Sequence, residues 1–326
     1  MHRRRFIAGL AAGCLGLPAA YGQSENGTRA TDTSGAGEPL TLFVPGPENS
    51  GLAALGRSMA ASLDAEGFAS TLAYDPRGSG AGIRSFADRF SSHGNALMAG
   101  SFGMIGASIL ARLPLTLDNL TPVARLTTEY AVAAVRPDSP YVSLRSFLTA
   151  LKTDPGAILF GGGTVGTVDH ILAAMIARQA GLKAGQLRYK SIIGGTGAID
   201  AVLQGEFTCV LGGLSELQPR LALGQLRALA VSAPQRLPGI AIPTFLEQGA
   251  PIELANWRGV FAPPGIDAPR LAHLTALTDR MVTGATWKAM LFRYNWTGDY
   301  LAGPGFGAFV RSETSRVRVL LAELGL

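Results

Sequence analysis

The residues with the most chemical content in this chain lie in glycine-led turns, not in a nucleophile elbow or a metal cluster. Gly161-Gly162-Gly163-Thr164-Val165-Gly166-Thr167 follows the apolar run 157–160, which reads as a buried strand. It precedes Val168, Ile171, Leu172, Met175 and Ile176, spaced as one face of a helix. A strand, a glycine loop and a helix start in that order form an anion site. The loop exposes backbone N–H groups, and the helix dipole adds partial positive charge.

Turns of the same kind recur at Asn49-Ser50-Gly51, Pro76-Arg77-Gly78-Ser79-Gly80, Gly100-Ser101-Phe102-Gly103, Gly194-Gly195-Thr196-Gly197 and Gly212-Gly213-Leu214-Ser215. Asn49 and the hydroxyls of Ser50, Ser79, Ser101, Thr164, Thr167 and Thr196 are candidate ligand donors. Each hydroxyl fits a helix N-cap equally well. Gly51, Gly78, Gly163, Gly166, Gly194 and Gly195 would let the backbone approach an anion, or serve tight turns alone. Arg77 supplies a charged donor, Phe102 a candidate wall, and His170 a candidate contact or a brace for a neighbouring loop. Asp169 and Glu216 would repel an anion unless they accept from hydroxyls, water or a ligand hydroxyl, so Asp169 reads first as a loop organiser.

Gly161–Gly166 also fits G-x-G-x-x-G in a strand–turn–helix context, which raises a nucleotide-dependent oxidoreductase. The next strand ends Arg188-Tyr189-Lys190-Ser191, without the acid that would hold a ribose. No G-x-S-x-G elbow appears, and His93, His170 and His273 lack metal-ligand spacing. The sequence thus points to no catalysis, no cofactor and no metal.

The elements that must position these turns alternate. Strands are expected near 40–44, 71–74, 96–99 and over 123–135 (as one strand, or as two at 123–126 and 131–135), then 157–160, 187–190, 207–211, 226–231 and 257–262. Helices follow most of them, with Ser143 as a plausible cap for 143–151 and a mostly helical tail over 267–325. This order implies an α/β fold of doubly wound, mostly parallel sheets. A second α/β unit over 136–232, nested in a first built from 39–135 plus 233–326, would place a cleft between two lobes with a hinge of two crossings.

The chain has 326 residues, of which 47% are hydrophobic and 16% charged, enough for substantial cores. Residues 1–22 read as an export signal: Arg3-Arg4-Arg5, an apolar stretch over 6–17, then Ala20-Tyr21-Gly22. Arg3-Arg4-Arg5-Phe6-Ile7 is similar to a twin-arginine pattern, and Ala11-Ala12-Gly13-Cys14 weakly resembles a lipid-anchor box. Residues 23–38 read as a flexible lead-in. Removing the three leader arginines from 28 basic residues leaves 25 against 23 acidic ones. They form no dense patch, which argues against nucleic acid. Cys209, in an apolar run, reads as a buried thiol.

Several stretches together resemble the periplasmic solute-binding receptors of tripartite tricarboxylate transporters, the Bug-type receptors. They are Thr121-Pro122-Val123-Ala124-Arg125-Leu126, Phe160-Gly161-Gly162-Gly163, Asp169-His170-Ile171-Leu172-Ala173, Leu226-Arg227-Ala228-Leu229-Ala230-Val231-Ser232, Arg236-Leu237-Pro238-Gly239-Ile240 and Leu254-Ala255-Asn256-Trp257-Arg258-Gly259-Val260-Phe261-Ala262-Pro263-Pro264-Gly265. The resemblance runs from about residue 40 to the end and is nearest to the tricarboxylate-receptor branch. It implies a two-domain, type II Venus-flytrap protein, monomeric and periplasmic. Such a protein binds a small carboxylate and passes it to the permease subunits of the membrane transporter. An orphan receptor reporting to a membrane sensor is the alternative. One loop departs from the family pattern: where three glycines, an aromatic and an aspartate are usual, this chain has Asn49-Ser50-Gly51-Leu52-Ala53. Arg77, where glycine is usual, is then expected to supply a compensating grip on a carboxylate.

Overall fold

The computed structural model describes residues 39–90, 94–183, 185–192 and 195–326. The expected leader, the lead-in, Cys14 and Gly194 lie outside them. The first strands and helices alternate: β1 (Leu40–Val44), α1 (Gly51–Ala65), β2 (Ser70–Tyr74), α2 (Ser79–Phe90), β3 (Ala96–Ser101) and α3 (Phe102–Leu110). Then come β4 (Thr121–Val135), α4 (Leu144–Thr153), β5 (Phe160–Gly162), α5 (Val168–Gln179), β6 (Tyr189–Ser191), α6 (Gly195–Leu203), β7 (Cys209–Gly213), α7 (Leu214–Ala222) and β8 (Arg227–Val231). The chain finishes with β9 (Ala255–Ala262), α8 (Ala268–Thr283), α9 (Ala285–Tyr294), β10 (Thr297–Ala302) and α10 (Gly303–Leu324).

The strands join in the order β2-β1-β3-β9-β4-β7-β5-β6, with β8 and β10 also paired to β4. The flanks, β2-β1-β3 and β7-β5-β6, are parallel, as strand–helix–strand crossovers require. The centre is antiparallel, because β9 returns from a distant part of the chain to lie between β3 and β4. The α/β fold expected from the alternation is therefore observed, with a mixed sheet at its middle.

Strand β4 joins two ladders. Its Thr121–Tyr130 part pairs β9, and Ala131–Val135 pairs β7 and β8. The sequence left open whether 123–135 is one strand or two; the structure has one, which runs through the polar Thr127-Thr128-Glu129. Those three polar residues are all buried, each held by the continuous ladder. Period-two alternation sorts its far end, with Ala131, Ala133 and Val135 in one core cluster and Val132 and Ala134 in another.

Other boundaries shifted for physical reasons. The expected strand 157–160 is observed as Phe160–Gly162, so two glycines of the presumed loop are strand residues. A Cβ on Gly161 would lie 1.8 Å from the Phe207 ring, so close sheet packing is what requires glycine there. Likewise Gly212 and Gly213 belong to β7, and Ser101 ends β3 directly against α3 with no loop between. The mostly helical tail also contains one strand, β10, paired with β4. Ser143 does cap α4, in a capping box with Ser146. Trp257, Cys209 and Phe102 are core residues, between 0% and 1% exposed.

Candidate functional site

A cavity of about 490 Å³ opens where the two parallel flanks end. Helices α1, α3, α5 and α7 each contribute to its wall from their first turns, through Gly51, Gly103, Asp169 and Glu216. The first four N–H groups of a helix have no partner within it, and its N-terminus carries partial positive charge. Convergent helix starts therefore give this wall an anion-attracting character.

The cap residues differ in how far their hydroxyls are committed. Ser50 accepts the Ala53 N–H at 3.2 Å and caps α1. Thr167, at the start of α5, instead donates to the Thr164 carbonyl at 2.7 Å and pins the loop into a turn. Ser101 caps α3 with no side-chain cap hydrogen bond, and it borders the cavity.

Asp169 is the loop organiser expected from the sequence. Its Oδ2 accepts the Gly163 N–H at 2.8 Å, and Tyr189 donates its hydroxyl to the Gly163 carbonyl at 2.6 Å. One glycine is thus gripped at both its amide and its carbonyl. That contact also occupies the amide a pyrophosphate would use in a dinucleotide site. Burial raises the Asp169 carboxyl to about 6, with the Gly163 N–H opposing. Burial likewise raises the Tyr189 hydroxyl.

His170 is 7% exposed and does not border the cavity. Its Nδ1 accepts the Gly166 N–H at 3.2 Å, and its ring meets Tyr189 edge-on. Burial lowers its pKa, consistent with a neutral ring whose Nδ1 acts as an acceptor. It braces the loop from behind. Gly166 needs its own identity, with φ +89° and the α3 backbone at Ala107 pressed against the site of a Cβ.

The structure brings Ser50, Gly51, Arg77, Gly78, Ser101, Gly163, Thr164, Thr167, Asp169 and Glu216 to the cavity wall. Asn49 is exposed outside it, and Phe102 lies in the core beneath the Arg316 guanidinium. Ser79 opens α2, and Gly195 and Thr196 open α6. Arg77 does not stand free: its Nε donates to Asp75 Oδ1 at 2.8 Å, and its Nη2 pairs with Asp75 Oδ2. The Arg77 guanidinium holds the Asp75 carboxyl below its ordinary value.

Arg258 and Glu129 were not among the residues singled out from the sequence. Arg258 (β9) borders the cavity and is 3% exposed; Glu129 (β4) is 1% exposed. Arg258 Nη2 donates to Glu129 Oε2, and Glu129 Oε1 accepts from both the N–H and the hydroxyl of Ser215. Arg258 Nη1 is buried without a partner among the described residues, and the guanidinium lies 5.1 Å from the Trp296 ring centre. The signal that could have found them is charge within strands rich in apolar residues, Arg258 as the one charge of β9 and Glu129 beside Arg125 in β4. A buried charge must find an opposite one.

Glu216, at the start of α7, faces the same group. Its carboxyl is pushed up to about 8, mainly by burial, then by the Glu129 and Asp169 carboxylates, with Arg258 opposing. The site thus has amide-rich helix starts beside a cluster of three carboxyl groups around one guanidinium. Among the described residues no group of His, Cys, Asp and Glu side chains is arranged to hold a metal ion.

Comparison with known proteins places this architecture. Residues 93–326 match the family described as tripartite tricarboxylate transporter family receptor. The chain is 24% identical over 332 residues to the UPF0065 protein in the tcbD–tcbE intergenic region of a Pseudomonas strain, covering 99% of this chain and 95% of that one. A solute-binding protein of this type from Polaromonas, solved without ligand, superposes with a TM-score of 0.65 at 25% identity, over 87% of this chain and 98% of its own. MatC from Rhodopseudomonas palustris, solved with bound malate, superposes with a TM-score of 0.74 at 21% identity, over 87% and 98%.

Proposed function

This chain belongs to the tripartite tricarboxylate transporter receptor family, and on that premise we propose that it binds a small organic di- or tricarboxylate, citrate-like in size, in the cavity described. The ligand is passed to the permease subunits of a membrane transporter, and no reaction is catalysed. The observation that carries this reading is the cavity wall itself: starts of α1, α3 and α5 beside Arg258, a buried guanidinium with an unpartnered nitrogen. Its volume of about 490 Å³ falls within the range of small-molecule sites. A structural relative with bound malate is consistent with the ligand class.

The reading extends to export by the leader over 1–22 and to two lobes, 39–135 with 233–326 and 136–232, closing on the ligand. The permease then recognises the closed form. A thermal-shift screen tests the ligand class, because a ligand that binds only the folded state stabilises it by about 2.7 kcal/mol at a hundredfold excess over Kd. Citrate, tricarballylate, succinate or malate should raise the melting temperature. No shift across that set and across aromatic acids would remove the carboxylate assignment.

A further inference from the structure

Glu129 is fully engaged, by Arg258 and by two donors of Ser215. Asp169 accepts the Gly163 amide. Glu216 also borders the cavity, and among the described residues it makes no hydrogen bond or ion pair. The guanidinium that could neutralise it has Nη2 spent on Glu129, while its Nη1 is buried and, among the described residues, unpartnered. Both Arg258 Nη2 and Glu216 Oε1 crowd the same point, 2.9 and 3.2 Å from where a Cβ on Gly51 would sit. They therefore meet at the first turn of α1, where a helix start favours an anion.

Granted a carboxylate ligand in this cavity, we infer that it docks against the Arg258 guanidinium at the first turn of α1, with Glu216 beside it as a neutral acid whose proton is the donor that completes the grip. The receptor then takes up a proton from solution as it binds. A carboxylate entering here would be the fourth acid group around one guanidinium. A bare Glu216 would repel it, while a protonated Glu216 donates to it. The proton comes from bulk water and stays on a Glu216 oxygen, shared with the ligand; no covalent bond of the ligand changes.

The groups facing Glu216 are Glu129 from β4, Asp169 from α5 and Arg258 from β9. The other charges nearby are committed elsewhere: Arg77 to Asp75, and Arg220 of the same helix to Asp200. The Glu216 carboxyl, already raised to about 8, rises further against an added anion. Affinity is then greatest where Glu216 is protonated and falls as pH rises through its value in the empty protein.

The test uses the whole mature chain with succinate, citrate and tricarballylate, all essentially fully ionised above pH 7.5. From pH 7 to pH 9 the Kd should rise about tenfold. Calorimetry at pH 8 in HEPES and in Tris should report uptake of about half a proton. Glu216→Gln keeps a donor but cannot titrate. It should bind within about threefold of wild type at pH 7, with affinity flat to pH 9 and no proton uptake. Asp169→Asn should retain the steep limb above pH 7.5.

Wild-type affinity that is flat with pH, or a pH dependence that survives Glu216→Gln, would overturn the assignment while leaving the carboxylate receptor intact. Tighter binding of glutamate than of succinate, without proton uptake and lost in Glu216→Gln, would give Glu216 an ammonium partner and overturn it too. Failure of the wild type to bind any of these acids would instead remove the carboxylate reading itself.

Discussion

Arg258 reaches Glu129 diagonally across the antiparallel β4–β9 ladder, where its own backbone partner is Thr127. Side chains two apart on a strand share a face, so Glu129 lies on the face that Arg258 presents. The pair is almost wholly removed from water, and Glu129 also takes both donors of Ser215. Removing one partner strands a buried charge. Glu129→Ala should cost about 3–5 kcal/mol in urea unfolding. The double variant Glu129→Ala with Arg258→Met should cost less than that single change. A double variant worse than the single one would contradict this account.

Gly106 sets how closely α3 approaches the glycine loop. A Cβ there would lie 2.2 Å from the Gly166 carbonyl, a backbone atom that cannot rotate away. Gly106→Ala should destabilise by about 1–3 kcal/mol despite alanine's better helix propensity. Because it displaces the loop that carries Gly163 and Thr164, it should also weaken ligand binding. Stability equal to wild type in chemical denaturation would show that α3 yields freely.

The Asp75–Arg77 pair predicts a small role for Arg77 in ligand binding. Its guanidinium is committed to Asp75 and its side chain is 65% exposed. Arg77→Ala should change carboxylate affinity by less than about threefold. The visible effect is on acid stability. The folded-state pKa of Asp75 is lowered, so its contribution is present above the ordinary carboxylate value and lost as pH falls through the folded one. Wild type should exceed Arg77→Ala slightly at neutral pH, with the two curves meeting in strong acid. A tenfold loss of affinity in Arg77→Ala would restore the direct contact expected from the sequence.

Glu216 and Asp169 act on stability with the opposite sign. Their folded-state values, about 8 and about 6, lie above those of exposed carboxyls. Each favours folding while protonated, fully so below its unfolded value, and that advantage is lost as pH rises through the folded one. Without ligand, wild type should lose stability steadily from pH 5 to pH 8. Glu216→Gln should be the more stable protein at pH 8, with the difference closing toward pH 4.5. Parallel stability curves for the two would show that burial does not penalise this carboxylate.

Much of this molecule was legible locally. Strand, glycine turn and helix face each depend on a few neighbouring residues, so α1, α5 and α7 and the turns that open them could be placed from spacing. Asp169 could be recognised as a loop organiser because its partner, Gly163, is six residues away. Arg258 and Glu129 are 129 residues apart, and what joins them is the register of β9 against β4, which no local pattern encodes. The same return of β9 made the sheet's centre antiparallel. Glycine was read as loop wherever it clustered, whereas Gly161 and Gly212 are small because the side chains of Phe207 and Leu217 lie against the strands. The pairing of Arg77 with Asp75, two residues before it, was not legible, because nothing in the sequence shows that the carboxylate would turn back to take it.

The change of ladder along β4 falls between Tyr130 and Ala131, one residue past Glu129. Glu129 touches Arg258 of β9 on one side of that change and Ser215 of α7 on the other. A single carboxylate therefore ties the β9 side of the sheet to the start of α7 at the place where β4 passes from one ladder to the other.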